Sequence, residues 1–300
     1  VDSLKVIHVA GSKGKGSVCA YTESILRAYG KKTGLFTSPH LMFVRDRFRI
    51  CAQPLSMTLF IMYFNEVWDR LVPLDRDLGY FQFLTLLSYH VFKQEKVDVC
   101  IYEAGVGGEY DATNIVLRPV VTGITTLGID HVKTLGEGPG GVNKFESLIE
   151  NIAWHKSGIF KAGSPAFSTM QDPKALAVLH SRALERETTL NVVGVNSGLP
   201  ALDCDFETEV QKYNASLAVS LANAYRTIVS NISLQPDDQI SGATALGLKQ
   251  CSWQGRFQFF ESGHCRWHLD GAHNSDSIKV AARWFAASLI RYSRNHKLWT

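Results

Sequence analysis

The chain of 300 residues contains no CxxC pair, no internal repeat and no low-complexity tract. Nor does any window approach the ~18 uninterrupted apolar residues of a membrane span. Each absence removes a class of function. The six cysteines (Cys19, Cys51, Cys100, Cys204, Cys251 and Cys265) stand far apart. They offer neither a structural zinc site nor a small disulfide framework, and reduced thiols are the simplest reading. Charge of one sign is also scarce: the net charge is +3, and the lysines and arginines are dispersed rather than striped. That argues against a nucleic-acid partner. Nothing at the start resembles a signal or transit peptide, but the chain opens within a few residues of a buried strand, which leaves room for a segment upstream; the expected compartment is the cytoplasm, with a mitochondrial form also allowed. Three hundred residues, 45% of them hydrophobic and 20% charged, suit one large or two ordinary globular domains.

What is present begins almost at once. The apolar run Val6-Ile7-His8-Val9-Ala10 leads into Gly11-Ser12-Lys13-Gly14-Lys15-Gly16-Ser17, and a helical pattern follows directly. Backbone N–H groups approach an anion closely only where side chains are absent, and a helix N-terminus adds a favourable dipole. Lys15 supplies a point charge, and the Ser17 hydroxyl suits a phosphate-bound Mg²⁺. Counting back from Gly14-Lys15, the first glycine of the usual phosphate-loop pattern would fall at Val9. The form here is the compressed Gly-x-x-Gly-Lys-Gly-Ser. The alternative is a plain glycine-rich turn, but strand, loop and helix come in the order a nucleoside-triphosphate loop requires. Val18, Tyr21, Thr22, Ile25, Leu26 and Tyr29 recur at helical spacing, and Gly30 is placed to end the helix.

Further along, strands alternate with helices. Strands are expected at 33–37, 97–102, 120–127 and 190–193, and helices at 59–71, 81–95, 148–155, 174–186 and 214–230. This alternation predicts an α/β fold with a mainly parallel sheet and helices on both faces. The polar stretch 236–250 is the expected linker between a domain over 1–235 and a shorter one over 251–300.

In such folds ligands collect at the carboxyl ends of the strands. Those ends offer the glycine loop, then Thr37-Ser38-Pro39-His40, then Glu103 with Gly105-Val106-Gly107-Gly108, then Gly128-Ile129-Asp130-His131. Hydroxyl and carboxylate oxygens suit Mg²⁺, and an imidazole is tolerable beside them. Taken singly, Glu103 reads as a surface acid, His131 as a loop cap and Ser38-Pro39 as ordinary turn chemistry. Their shared position beside a phosphate loop makes them candidate metal ligands. Gly105-Val106-Gly107-Gly108 is not a dinucleotide fingerprint, because Tyr110 stands where the third glycine belongs.

The separated segments Gly11–Ser17, Thr37–Leu41, Val44–Ile50, Phe83–Thr85, Glu103–Asn114, Leu127–His131, Ile152–Ile159 and Leu269–Asn274 closely resemble, in order, the folylpolyglutamate synthase and dihydrofolate synthase family of the Mur ligase superfamily. The eukaryotic members are the nearest in pattern. The resemblance implies a Mur-ligase-like central domain followed by the start of a C-terminal α/β domain. It further implies that Gly11, Ser12, Lys13, Gly14, Lys15, Gly16 and Ser17 hold ATP, assisted by Asn214, Arg256, Asp270 and His273. Ser17, Ser38, Glu103 and His131 would be Mg²⁺ ligands, and Lys15, His131 and Lys156 the catalytic set. Lys156 matches the lysine that the family carbamylates, and the resemblance also admits a monovalent cation.

The implied reaction is ATP-dependent amide formation between the γ-carboxylate of a reduced folate and L-glutamate, by a monomer, through an acyl phosphate. Without the resemblance, Lys156 would read as a helix C-terminal cation and Arg256 as a surface charge. Three departures stand out. Residues 136–144 form a glycine-rich insertion, the helical segment usual before the first strand is absent, and the chain ends soon after Asp270–His273. A dihydrofolate synthase, or a non-catalytic nucleotide- or folate-binding remnant, therefore stays open beside the ligase.

Overall fold

The computed structural model describes residues 4–71, 73–74, 77–135, 145, 147–199, 208–232, 240–263, 265–273 and 275–295. The insertion at 136–144 lies outside them. The chain is mixed α/β. In chain order, β1 (Val6–Ala10), α1 (Lys15–Ala28) and β2 (Thr33–Phe36) lead to a small hairpin, β3 (Phe48–Ile50) and β4 (Gln53–Pro54). Next come α2 (Met57–Leu71), α3 (Tyr80–Gln94), β5 (Val99–Glu103), β6 (Val121–Ile124), a single turn α4 (Val132–Leu135) and α5 (Leu148–Lys156). Then follow β7 (Ala166–Thr169), α6 (Pro173–Glu185), β8 (Leu190–Val193), α7 (Glu209–Ser230) and α8 (Gly242–Gln250). The chain closes with β9 (Gln258–Ser262), β10 (Cys265–Leu269) and α9 (Ser275–Asn295).

The main sheet has the order β4-β3-β2-β5-β1-β6-β7-β8. The six strands from β2 to β8 in that order are parallel, and the β3–β4 hairpin adds an antiparallel edge. β1 lies between β5 and β6, and the chain leaves it towards β2 on one side before returning to β6 on the other. That is the topological switch point, where open α/β sheets bind ligands.

A strand at the middle of such a sheet is apolar on both faces. Ile7 and Val9 of β1 pack with Val18, Ile25, Leu26, Leu217 and Leu221 in the layer of α1, α7 and α8. Val6 packs on the opposite face with Phe36, Phe83, Leu87, Phe92 and Tyr102, under α2 and α3. Ala10 joins the layer of α5 and α6 with Ile124, Ala153, Phe160 and Leu179. No helix among the described residues is long and apolar enough to cross a membrane.

Part of the segment expected as a linker is helical. α8 packs against α1, and Ser24 Oγ donates to the Gly247 carbonyl at 2.7 Å. A Cβ on Gly247 would lie 2.5 Å from Ile25 Cα, so only glycine lets the two helices come this close. Gly247→Ala must push the helices apart. We expect a loss of ~1–3 kcal/mol of stability, as for other overpacked contacts. Urea denaturation that gave the variant an unchanged midpoint would contradict this packing.

Candidate functional site

At the end of β1 the backbone takes two turns that L side chains resist: Gly11 has φ +147° and Gly14 φ +86°. Space is closed as well. A Cβ at Gly11 would lie 1.9 Å from Thr125 Oγ1, and one at Gly14 would lie 2.3 Å from Asn214 Oδ1. The N–H groups of Ser12 and Lys13 both donate to Thr126 O at 3.1 Å, and Ser12 Oγ donates to Gly128 O at 2.8 Å. These bonds fix the first half of the loop against the β6 end. The first bond of α1 is Val18 N–H to Gly14 O at 2.9 Å, which leaves the N–H groups of the first turn for an anion.

Two ammonium groups converge on one acceptor. Lys15 Nζ donates to Gly11 O at 3.0 Å, and Lys156 Nζ, from the last turn of α5, donates to the same oxygen at 2.9 Å. Lys156 is only 1% exposed, and its other contact is Asp130 Oδ2 at 3.4 Å. Burial, reinforced by the charge of Lys15 and opposed by Asp130, pushes the Lys156 ammonium down to about 8. Asp130 Oδ1 is buried with no hydrogen-bond partner among the described residues.

Glu103 closes β5 and is 5% exposed, where isolated sequence reading would make it a surface acid. Its Oε2 accepts from Ser38 N–H at 3.0 Å and lies 3.5 Å from the position a Cβ on Gly16 would take. Burial raises its pKa, against the pull of Lys15, the Ser38 N–H, Arg256 and Arg47. Ser17 lines a cavity of about 200 Å³ together with Tyr21, Gln211, Trp253 and Arg256. Trp253 brings its indole nitrogen to 3.1 Å from the Gly16 Cβ position. Asn214 Nδ2 donates to Gln211 Oε1 at 2.8 Å, and its Oδ1 is buried without a partner among the described residues.

The remaining expected residues sit differently. Arg256 Nη1 donates to Gly255 O at 2.9 Å and comes within 2.1 Å of where a Gly271 Cβ would stand. Asp270 accepts from Phe257 N–H at 2.9 Å and Ala272 N–H at 2.8 Å, so its carboxylate organises the β9–β10 unit. His273 is exposed, with Nδ1 at 2.9 Å from Gly271 O. His131 is exposed at φ +46°, and its backbone carbonyl caps α4 by accepting from Thr134 N–H at 2.8 Å. The loop, Glu103, Lys156, Asn214 and the backbone of Ser38 thus gather around α1, whereas Asp270 and His273 hold their own hairpin. Asp130 and Trp253 belong to this surface without having been singled out. The adjacency of Asp130 to His131 at a strand end was the available signal for the first.

A second cavity, of about 320 Å³, is walled by Phe81, Gln82, Val106, Tyr110, Asp111 and His155. A hydrogen-bonded chain ties its loop to β1. Val106 N–H donates to Asp111 Oδ2 at 2.9 Å, and Thr113 Oγ1 donates to Asp111 Oδ1 at 2.5 Å. Thr113 Oγ1 therefore accepts from His8 Nε2 at 2.8 Å, which places the His8 proton on Nε2.

The chain as a whole resembles known proteins. No family profile matches the chain. The folylpolyglutamate synthase of Neurospora crassa is 45% identical over 98% of this chain and 57% of its own length. The mitochondrial folylpolyglutamate synthase of Bos taurus is 42% identical over 98% of this chain and 53% of its own. The chain thus spans little more than half the length of these relatives. Among solved structures, an FPGS–AMPPCP–folate complex superposes with a TM-score of 0.80 at 27% identity, covering 95% of this chain and 72% of that one. E. coli FolC in complex with DHPP and ADP gives 0.76 at 29% identity, covering 94% and 65%.

Burial, partly offset by Asp111, lowers the His8 pKa from 6.5 to about 4. The unfolded chain then binds a proton that the folded chain refuses between those values. Stability from His8 is complete above pH 6.5 and is lost as pH falls towards 4, by about 3 kcal/mol in all. Wild-type protein should lose stability more steeply than His8→Gln between pH 7 and 4.5; parallel denaturation profiles would refute this.

Proposed function

This chain is a relative of the folylpolyglutamate synthases along nearly its whole length, and on that premise we propose that it forms the ATP-binding body of a ligase joining L-glutamate to the γ-carboxylate of a reduced folate. The observation that carries the proposal is the convergence of Lys15 and Lys156 on the Gly11 carbonyl beside the buried Glu103. In the proposed reaction a γ-carboxylate oxygen of the folate attacks the γ-phosphorus of ATP and ADP leaves. The amine of glutamate then attacks the acyl phosphate and phosphate departs. A carboxylate is a poor electrophile, and phosphorylation gives it a leaving group. The protein's share is positioning and charge neutralisation.

The residues fit a nucleotide-bound magnesium. Among the described residues no three His, Cys, Asp or Glu side chains gather into a metal cluster. Mg²⁺ beside a triphosphate takes most of its ligands from phosphate and water, and needs only one or two protein oxygens. Glu103 and the Ser17 hydroxyl supply such oxygens next to the first turn of α1, and Ser38 is held there through its N–H. The ion would supply Lewis-acid polarisation of the phosphate oxygens. We assign Lys15 and the first-turn N–H groups to the phosphates, Arg256 to the same anion, and Asn214 to the nucleotide base.

Lys156, lowered to about 8, has a neutral fraction at physiological pH that can add to carbon dioxide. The carbamate so formed releases a proton and replaces an ammonium with an anion. The second cavity, with Phe81 and Tyr110 beside Gln82 and Asp111, suits a flat heteroaromatic ring with polar edges. We further propose that 1–235 and 251–300 are two structural units, with α8 of the intervening segment packed on the first.

Lys15→Ala should weaken AMPPCP binding about 10- to 100-fold, the scale of a charge-assisted contact to phosphate. Unchanged affinity by calorimetry would overturn the loop assignment. Incubation with ATP, Mg²⁺, tetrahydrofolate and labelled glutamate should give folate-dependent incorporation. Incorporation only with dihydropteroate would instead make the chain a dihydrofolate synthase. AMPPCP binding with no incorporation on either acceptor would make it a non-catalytic remnant.

A further inference from the structure

One segment singled out in the sequence, Val44–Ile50, has no part in the site as assigned so far, yet it carries a buried cation. Arg47 is 7% exposed and lies just before β3. Its backbone carbonyl accepts from Thr37 N–H at 3.2 Å, which ties it to the end of β2. Its Nε donates to His40 Nδ1 at 3.0 Å, in the same turn whose Ser38 N–H holds Glu103. The guanidinium stands over the rings of Tyr80 at 5.9 Å and Phe81 at 6.0 Å. Phe81 is a wall of the second cavity.

Two features are unusual for an arginine so little exposed. Among the described residues it takes part in no ion pair, and the bond to His40 is its one side-chain hydrogen bond. A charge partly withdrawn from water gains from a partner, because pairing offsets the desolvation cost. Glu103 feels its field but is not within ion-pair distance. With Nε committed to His40, the two terminal nitrogens keep the planar fork that matches a carboxylate. The phosphate side of the site already has Lys15, Lys156 and Arg256, whereas Arg47 lies against the aromatic wall of the second cavity.

We propose that Arg47 anchors a carboxylate of the acceptor substrate, namely the α-carboxylate of the glutamyl tail whose γ-carboxylate is to be phosphorylated. Held between Phe81 and Glu103, that group fixes which of the two carboxylates faces the nucleotide. Arg47 is then a specificity-determining residue: it admits acceptors ending in an α-amino-acid carboxylate and disfavours those without one. The inference rests on the ligase reading given above.

The test compares folate with folate α-amide, which keeps the γ-carboxylate and loses the α-charge. Calorimetry with the 300-residue chain in the presence of AMPPCP should show folate binding at least about 10-fold more tightly than the amide. Arg47→Gln should bring the two ligands to within about twofold of each other while leaving AMPPCP affinity unchanged, and Arg47→Lys should retain part of the preference. Equal affinity of the wild-type chain for folate and its amide would overturn the inference without any variant being needed. So would an Arg47→Gln chain that lost AMPPCP affinity as much as folate affinity, which would place a phosphate on the guanidinium. Folate binding without discrimination defeats this inference alone; no folate binding at all defeats the ligase reading with it.

Discussion

The carbonyl of Gly11 accepts hydrogen bonds from two ammonium groups, Lys15 at 3.0 Å and Lys156 at 2.9 Å, and the rest of the site is arranged around that oxygen. Two cations sharing one acceptor repel each other, and the repulsion grows as water is excluded. The depressed Lys156 pKa, caused first by burial and then by Lys15, expresses that repulsion. Asp130, which touches Lys156 at 3.4 Å, and Asp111 offset it only in part, and Glu103 forms no ion pair with either lysine. A pocket in this condition attracts anions. The unpaired N–H groups at the start of α1 add their dipole in the same place.

That oxygen can be presented to both lysines only because Gly11 has no side chain. Its φ of +147° and the Thr125 hydroxyl 1.9 Å from a would-be Cβ make glycine obligatory on two independent grounds. Gly14 is constrained in the same way by Asn214, whose Oδ1 ends buried and unpartnered among the described residues. The close approach therefore has a cost beyond the backbone: polar atoms at 125, 130 and 214 are left short of partners at the loop. Such unsatisfied atoms are uncommon in a packed core, and a ligand that supplies donors and acceptors there would relieve them.

The sequence carried the architecture well, because a central parallel strand has a distinctive apolar signature and the glycine loop follows it directly. It carried Glu103 poorly when read alone, since an acid after a strand looks solvent-exposed. Only the Ser38 N–H and the surrounding Lys15, Arg47 and Arg256 explain how it can be buried. Short edge strands were not legible. β3 and β4 hold three and two residues, too few for alternation to show, and Arg49 in β3 turns its guanidinium to the Trp253 ring at 4.9 Å. α8 was hidden for the opposite reason. Its closest contact with α1 is made by Gly247, and a residue without a side chain leaves no mark in a hydrophobic pattern. The hydrogen-bonded relay from His8 through Thr113 to Asp111 begins with a step of 105 residues and could emerge only from the fold.

The end of α5 and the loop after β5 are built against one another, and that construction bears on how a change at Lys156 reaches the second cavity. Just past Lys156, Gly158 presses on the loop after β5, where its Cβ position lies 2.2 Å from Glu109 Cα. Asn114 Nδ2 bridges the carbonyls of Glu109 at 3.0 Å and Gly158 at 3.1 Å, and Glu109 N–H donates to His155 O at 2.7 Å. The Glu109 carboxylate is meanwhile clamped by Arg182 at 2.5 Å and Arg186 at 2.6 Å from α6. With no room for a side chain at Gly158 and these hydrogen bonds joining the two segments, the end of α5 is tied to residues 106–111, several of which wall the second cavity. Close-packed interiors transmit such displacements rather than absorb them. A shift of Lys156 towards an anion at Gly11 would thus be felt at Val106 and Asp111, and the His8 relay returns the same constraint to β1. The glycine loop and the second cavity are in this sense mechanically linked, with Lys156 at the joint.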